Sequence, residues 1–187
     1  MSPPEHFTVA YRINPWMRVD QPVDRELAVK QWDGLRTALL DLGHQVHVLL
    51  ARPGLPDMVF AANGAFSVDG VVYGAKFKYA QRADEAAAHL AFYEGRPEWT
   101  FVAPTQVNEG EGDFAYVPGR QLILAGHGFR TETAAHAEAQ DALGRPVVSL
   151  RLVDDRFYHL DTALAVLDDD RITYYPGAFS PSSSRTR

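Results

Sequence analysis

The strongest constraint in this sequence is a recurring order of elements. Three stretches read as β-hairpins: residues 60–77, turning at Asp69-Gly70; residues 113–129, turning at Pro118-Gly119; and residues 162–179, turning at Asp168–Asp170. Each closes on a small residue and a phenylalanine, at Ala75-Lys76-Phe77, His127-Gly128-Phe129 and Gly177-Ala178-Phe179. These phenylalanines stand 52 and 50 residues apart. The first hairpin is followed by an Ala-rich helical pattern over 82–93 and a strand over 99–103. The second is followed by a helix over 131–143, with Thr131 and Thr133 placed to cap it, and a strand over 147–153. Two strands, a helix and a strand per period of about fifty residues predict an α/β repeat architecture. The copies share little sequence, so the order of elements carries the repeat.

Ahead of the repeat, residues 7–12 read as a strand that Asn14-Pro15 interrupts. Residues 24–42 place Leu27, Trp32, Leu35, Leu39 and Leu42 along one helix face, with Gly43 at the C-cap position, and a buried-type strand follows over 46–50. After Phe179 the pattern calls for another helix, but the sequence runs S-P-S-S-S-R-T-R. Residues 1–179 are therefore expected to form one partial domain, a repeat cut short, and residues 180–187 a disordered tail.

Composition removes several function classes. The 187 residues contain no cysteine, so disulfides, thiolate metal sites and a cysteine nucleophile are excluded within them. The net charge of −6 and the lack of a basic run argue against a nucleic-acid partner. No apolar run has the length of a membrane span, and the polar, Pro-containing start has no signal-peptide core. The chain is accordingly read as cytoplasmic.

Three clusters of polar residues sit just before or at the start of the three hairpins. The first is L-P-D-M-V-F-A-A-N-G, with Asp57, Phe60 and Asn63. The second is N-E-G-E-G-D, with Asn108, Glu109, Glu111 and Asp113, and the third is R-F-Y-H-L-D-T-A, with His159 and Asp161. If the units are arranged around an axis, these equivalent points converge. Several carboxylates in one pocket attract a cation, and a planar guanidinium pairs with them bidentately. An aromatic face at Phe60 suits the same cation, and a histidine among carboxylates is an acid–base candidate near neutral pH. His47, His159 and Asp161 show no metal-ligand spacing, so no metal is expected.

Taken together, I-N-P-W-M (13–17), P-D-M-V-F-A-A-N (56–63), N-E-G-E-G-D (108–113), G-F-R-T (128–131) and R-F-Y-H-L-D-T-A-L (156–164) resemble the guanidino-group-modifying superfamily. Its members include dimethylarginine dimethylaminohydrolases, arginine deiminases, arginine dihydrolases and amidinotransferases. The resemblance implies a pentein fold, an α/β propeller of five pseudo-symmetric units, about three of which this chain would supply. It also implies hydrolysis of a guanidinium C–N bond without metal or organic cofactor, with arginine or methylarginine as the substrate class. Glu109 resembles the catalytic glutamate, with Glu111 an open alternative because the spacing to Asp113 differs from the family's. His159 resembles the general acid–base and Asp161 a second guanidinium ligand. Asp57, Phe60, Asn63 and Arg130 resemble substrate-binding positions, and the asparagine at 63 looks like the arginine-dihydrolase branch. The family's nucleophile is a cysteine near the end of its fold, and this chain has none. Two further readings therefore stand beside hydrolysis: a catalytically inactive guanidinium binder, and one half of a two-chain enzyme that self-associates or meets a complementing chain.

Overall fold

The computed structural model describes residues 1–185 and divides into two compact units, Met1–Ala61 and a second that begins at Ala62. In the first unit, helix α1 (Arg25–Asp41) forms where the periodicity puts it. The Asp24 carboxylate caps it by accepting from the Leu27 N–H at 2.9 Å, and Gly43, at φ +85°, ends it in the left-handed region. No residue of α1 is buried, and its predicted apolar face is open: Leu27, Leu35 and Leu42 are 48%, 57% and 76% exposed. The strands expected over 7–12 and 46–50 do not form. The Met1 ammonium donates to the His47 carbonyl at 2.8 Å and the Leu49 N–H donates to the Met1 carbonyl at 2.9 Å. Two bonds are not a ladder, and an extended segment needs a ladder to become a strand.

The second unit carries the repeat. Strands β1 (Ala65–Val68) and β2 (Val71–Gly74) form an antiparallel hairpin through Asp69 and Gly70, whose φ angles of +50° and +83° are those of the expected turn. Helices α2 (Ala80–Ala83) and α3 (Glu85–Glu94) then lead to β3 (Thr100–Val102), which pairs parallel with β2. Strands β4 (Phe114–Val117) and β5 (Leu122–His127) form the second hairpin, and β6 (Val147–Arg151) joins β5 in parallel after α4 (Thr133–Leu143). The third hairpin, β7 (Leu164–Val166) with β8 (Ile172–Tyr174), is a two-stranded sheet among the described residues. The hairpin, helix and strand predicted for each period are thus realised twice, with the last strand pairing in parallel, followed by a third hairpin.

Three local expectations change. The helix predicted over 82–93 is two pieces interrupted at Asp84. Arg82 and Glu85, on either side of the interruption, pair inside the protein. Neither Thr131 nor Thr133 caps α4: Glu132 holds the N-cap position without a side-chain bond, and the Thr131 hydroxyl is used elsewhere. In the segment 180–187, expected as a disordered tail, Ser180 is buried and its N–H donates to the Arg151 carbonyl at 2.9 Å. The Arg151 N–H in turn donates to Ser183 Oγ at 2.9 Å, while residues 186 and 187 lie outside the described residues.

The main core lies between the first two sheets and α4. Phe66 stacks on Phe114 at 5.5 Å between ring centroids, and Tyr73 meets Phe114 edge-on at 6.0 Å. Ala135 and Ala139 are fully buried on α4, and side chains that small let the helix approach the sheet closely. The Tyr73 hydroxyl donates to Glu138 Oε2 at 2.6 Å, and the same carboxylate accepts from the Thr105 hydroxyl and the Gln106 N–H at 2.6 and 3.0 Å. This ties the core to the loop that leads into residues 108–113. Among the described residues, no helix is long and apolar enough to cross a membrane. Phe114→Ala removes the ring shared by both aromatic contacts, and urea unfolding is expected to show a loss of about 3–5 kcal/mol.

Candidate functional site

Each hairpin of the second unit is entered through a tight 3-10 turn: Ala61–Gly64 before β1, Gly110–Gly112 before β4 and Leu160–Thr162 before β7. These turns carry or adjoin Asn63, Glu109 with Asp113, and His159. The repeat therefore places the predicted polar residues at three equivalent entrances, and in the second unit these side chains meet.

The middle turn is the most constrained. Asn108 is fully buried and exchanges two backbone hydrogen bonds with Lys76, at 3.0 and 3.1 Å. Its side-chain nitrogen donates to the Gly74 carbonyl at 3.0 Å and its oxygen accepts from the Gly110 N–H at 3.1 Å. Gly110 has φ +52°, and a Cβ there would lie 2.5 Å from the Ala65 carbonyl oxygen, so both conformation and space require glycine. The backbone thereby presents Glu109 inward, where its side chain is completely buried.

Glu109 Oε2 accepts from Arg130 Nη1 at 2.8 Å and lies 3.3 Å from His159 Nε2 and 4.0 Å from Arg82 Nη1. Its other oxygen, Oε1, is buried with no hydrogen-bond partner. Burial alone would raise this carboxyl's pKa; the His159 hydrogen bond and the charges of Arg130 and Arg82 hold it below the usual value. Arg130 lies between the rings of Tyr79 and Tyr158, 4.9 and 4.8 Å from their centroids.

Asp113 is the second buried carboxylate. Its Oδ2 accepts from the Thr131 hydroxyl at 2.6 Å and stands 3.2 Å from His159 Nδ1, while Oδ1 accepts from the Leu160 N–H at 3.1 Å. Thr131 Oγ1 also accepts from the Glu109 N–H at 3.1 Å, so one hydroxyl joins both carboxylate-bearing positions. Burial pushes the His159 imidazolium toward neutrality, but Asp113 and Glu109 outweigh it and lift the pKa to about 9.

Of the predicted residues, Glu109, His159, Arg130 and Asn63 come together. Glu111 is exposed, whereas Glu109 is buried beside His159. Asp161 is also exposed. Asp57 and Phe60 belong to the first unit. There Asp57 Oδ2 accepts from the Tyr11 hydroxyl at 2.8 Å, and the half-exposed Phe60 ring meets Phe7 edge-on at 6.0 Å. Asp113 and Thr131 lie inside the quoted motifs, yet sequence read Asp113 only as one of several clustered carboxylates and Thr131 as a helix cap. Arg82 and Glu85, both buried here, sit in an Ala-rich helix that carries no signal of a site. Among the described residues no group of three or more histidine, aspartate or glutamate side chains is arranged to hold a metal ion.

No protein-family model matches the chain. It is 50% identical over 186 residues to an N(G),N(G)-dimethylarginine dimethylaminohydrolase of Mycobacterium tuberculosis, covering 98% of this chain and 60% of that protein. It is 36% identical over 187 residues to the bifunctional arginine dihydrolase/ornithine cyclodeaminase AgrE of a Nostoc species, covering 99% of this chain and 26% of that one. The crystal structure of the N-terminal domain of ArgZ, a cyanobacterial arginine dihydrolase, bound to substrate, superposes with a TM-score of 0.92 at 35% identity, covering 99% of this chain and 69% of that domain. The chain thus spans less than two thirds of the length of these two curated relatives.

The raised pKa of His159 has a consequence for stability. A group whose pKa is raised on folding stabilises fully below its unfolded value and loses that contribution as pH rises through the folded one. The urea midpoint is therefore expected to fall between pH 6.5 and about 9. Asp113→Asn removes one of the two carboxylates responsible and should flatten that fall.

Proposed function

Because this chain belongs to the guanidino-group-modifying family of pentein proteins, we propose that it binds a guanidino compound such as arginine or methylarginine and supplies the proton-transfer part of a C–N hydrolase site. One observation carries the reading: the buried Glu109 Oε1, an acceptor with no protein partner beside a histidine and a second carboxylate. A guanidinium N–H is the donor that satisfies such an oxygen without leaving a buried charge unpaired.

In this mechanism Glu109 grips the guanidinium through Oε1. His159, oriented from behind by Asp113, delivers a proton to the departing amine and then takes one from the water that completes hydrolysis. Arg130, held between two tyrosine rings, is the cation proposed to meet a substrate carboxylate. Asp161 keeps the role of a second guanidinium ligand that the family implies. Attack on the guanidinium carbon needs a nucleophile. The family's is a cysteine thiolate, and these 187 residues contain no cysteine. The nucleophile is therefore proposed to come from sequence beyond these residues or from a complementing chain. The absence of cysteine equally favours a second reading, binding of the guanidino compound without turnover.

Calorimetry with L-arginine tests the shared core of both readings. Binding is expected, and Glu109→Gln should weaken it by at least about 30-fold, as loss of a buried charged partner does. Absence of binding overturns the proposal. Release of citrulline, ornithine or ammonia by this chain alone would overturn the claim that the nucleophile lies elsewhere.

A further inference from the structure

A fully buried ion pair stands beside Glu109, and the mechanism above gives the pair's carboxylate no role. Glu85 is 0% and Arg82 3% exposed. Arg82 Nε and Nη2 donate to the two Glu85 carboxylate oxygens at 3.0 and 2.8 Å, and the guanidinium rests over the Phe77 ring at 4.7 Å. Buried ion pairs seldom add net stability over apolar packing, so their geometric effect is the place to look for a role.

That effect falls on Asn63. Arg82 Nη1 lies 2.8 Å from the Asn63 side-chain oxygen. A guanidinium has donors only, so the amide atom facing it must be the oxygen. The amide nitrogen is then turned the other way, to 3.5 Å from His159 Nε2. Gly112 leaves the room it occupies: a Cβ there would lie 2.3 Å from Asn63 Nδ2 and 3.0 Å from His159 Nδ1. We propose that Glu85 is a positioning residue: by gripping Arg82 from both carboxylate oxygens it fixes the Asn63 amide with its nitrogen, not its oxygen, toward His159 Nε2.

The consequence is electrostatic. The other groups around the imidazole are the Glu109 and Asp113 carboxylates, the Tyr158 ring at 4.9 Å between centroids, and Asp161 two residues along the chain. Arg130 and Arg82 approach the same Glu109 oxygen at 2.8 and 4.0 Å. The carboxylates favour the imidazolium. An amide N–H pointed at Nε2 favours the neutral ring instead, whose lone pair it can use. A fixed Asn63 thus offsets part of the carboxylates' pull and keeps His159 nearer the range where it can both give and take a proton. The value of this for catalysis rests on the role given to His159 above; the geometric claim does not.

The test is an NMR titration of the His159 imidazole in the ligand-free full chain, which is independent of whether arginine binds. Glu85→Asp and Arg82→Lys keep every charge but cannot maintain the two-pronged grip. In each, the freed amide can turn its oxygen to Nε2–H, so the His159 pKa is expected to rise by roughly half a unit. In an Asn63→Ala background the same substitutions should produce no further rise. An unchanged or lowered pKa in the charge-conserving variants, or an equal rise without Asn63, overturns the proposal. The two variants break the grip from opposite ends, so either one that folds decides the question.

Discussion

A carboxylate taken wholly out of water has to be compensated by its surroundings, and at Glu109 that requirement organises the second unit. Arg130 supplies the direct ion pair, and His159 and Arg82 add positive charge on the same oxygen. The backbone that delivers the side chain is held by Asn108, by the left-handed Gly110 and by the Thr131 hydroxyl. With Oε2 saturated and Oε1 left over, the arrangement is satisfied as a structure and unsatisfied at one point. A ligand cation is most strongly selected at such a point, since an unmet buried acceptor costs about 1–3 kcal/mol.

The repeat explains how so many charged groups reach one place. A 3-10 turn leading into a strand holds a polar side chain, in or beside the turn, at the end of a hairpin, and three such turns occur in succession. The device needs no similarity of sequence between copies, only the same order of turn and strand. It also explains why the chain superposes closely on a substrate-bound arginine dihydrolase domain despite 35% identity. Backbone order is set by small residues and apolar spacing, and chemistry by a few positions at the entrances.

Much of this was legible along the chain. The hairpin at Asp69-Gly70 follows from turn chemistry, helix α1 from apolar spacing and a glycine at its C-terminal end, and the grouping of Glu109, His159, Arg130 and Asn63 from motif order. The misreadings share one cause. Residues 7–12 and 46–50 look like strands because their residue types suit strands, but a strand exists only where a second segment completes its hydrogen bonds. Thr131 looks like a helix cap because threonine before a helix usually is one, yet two buried groups 18 and 22 residues earlier claim its hydroxyl. Arg82 and Glu85 carry no signal of a site along the chain, because an arginine and a glutamate three apart in a helix are most often a solvated pair.

Local sequence determined the period, the hairpins, most of the helices and the kinds of side chain offered at each hairpin entrance. These depend on turn geometry and on apolar spacing, which act over a few residues. Tertiary structure alone decided which glutamate is buried, which way the Asn63 amide points and what Thr131 binds. Those outcomes turn on hydrogen bonds between residues from 18 to 96 positions apart, whose distances no local rule contains.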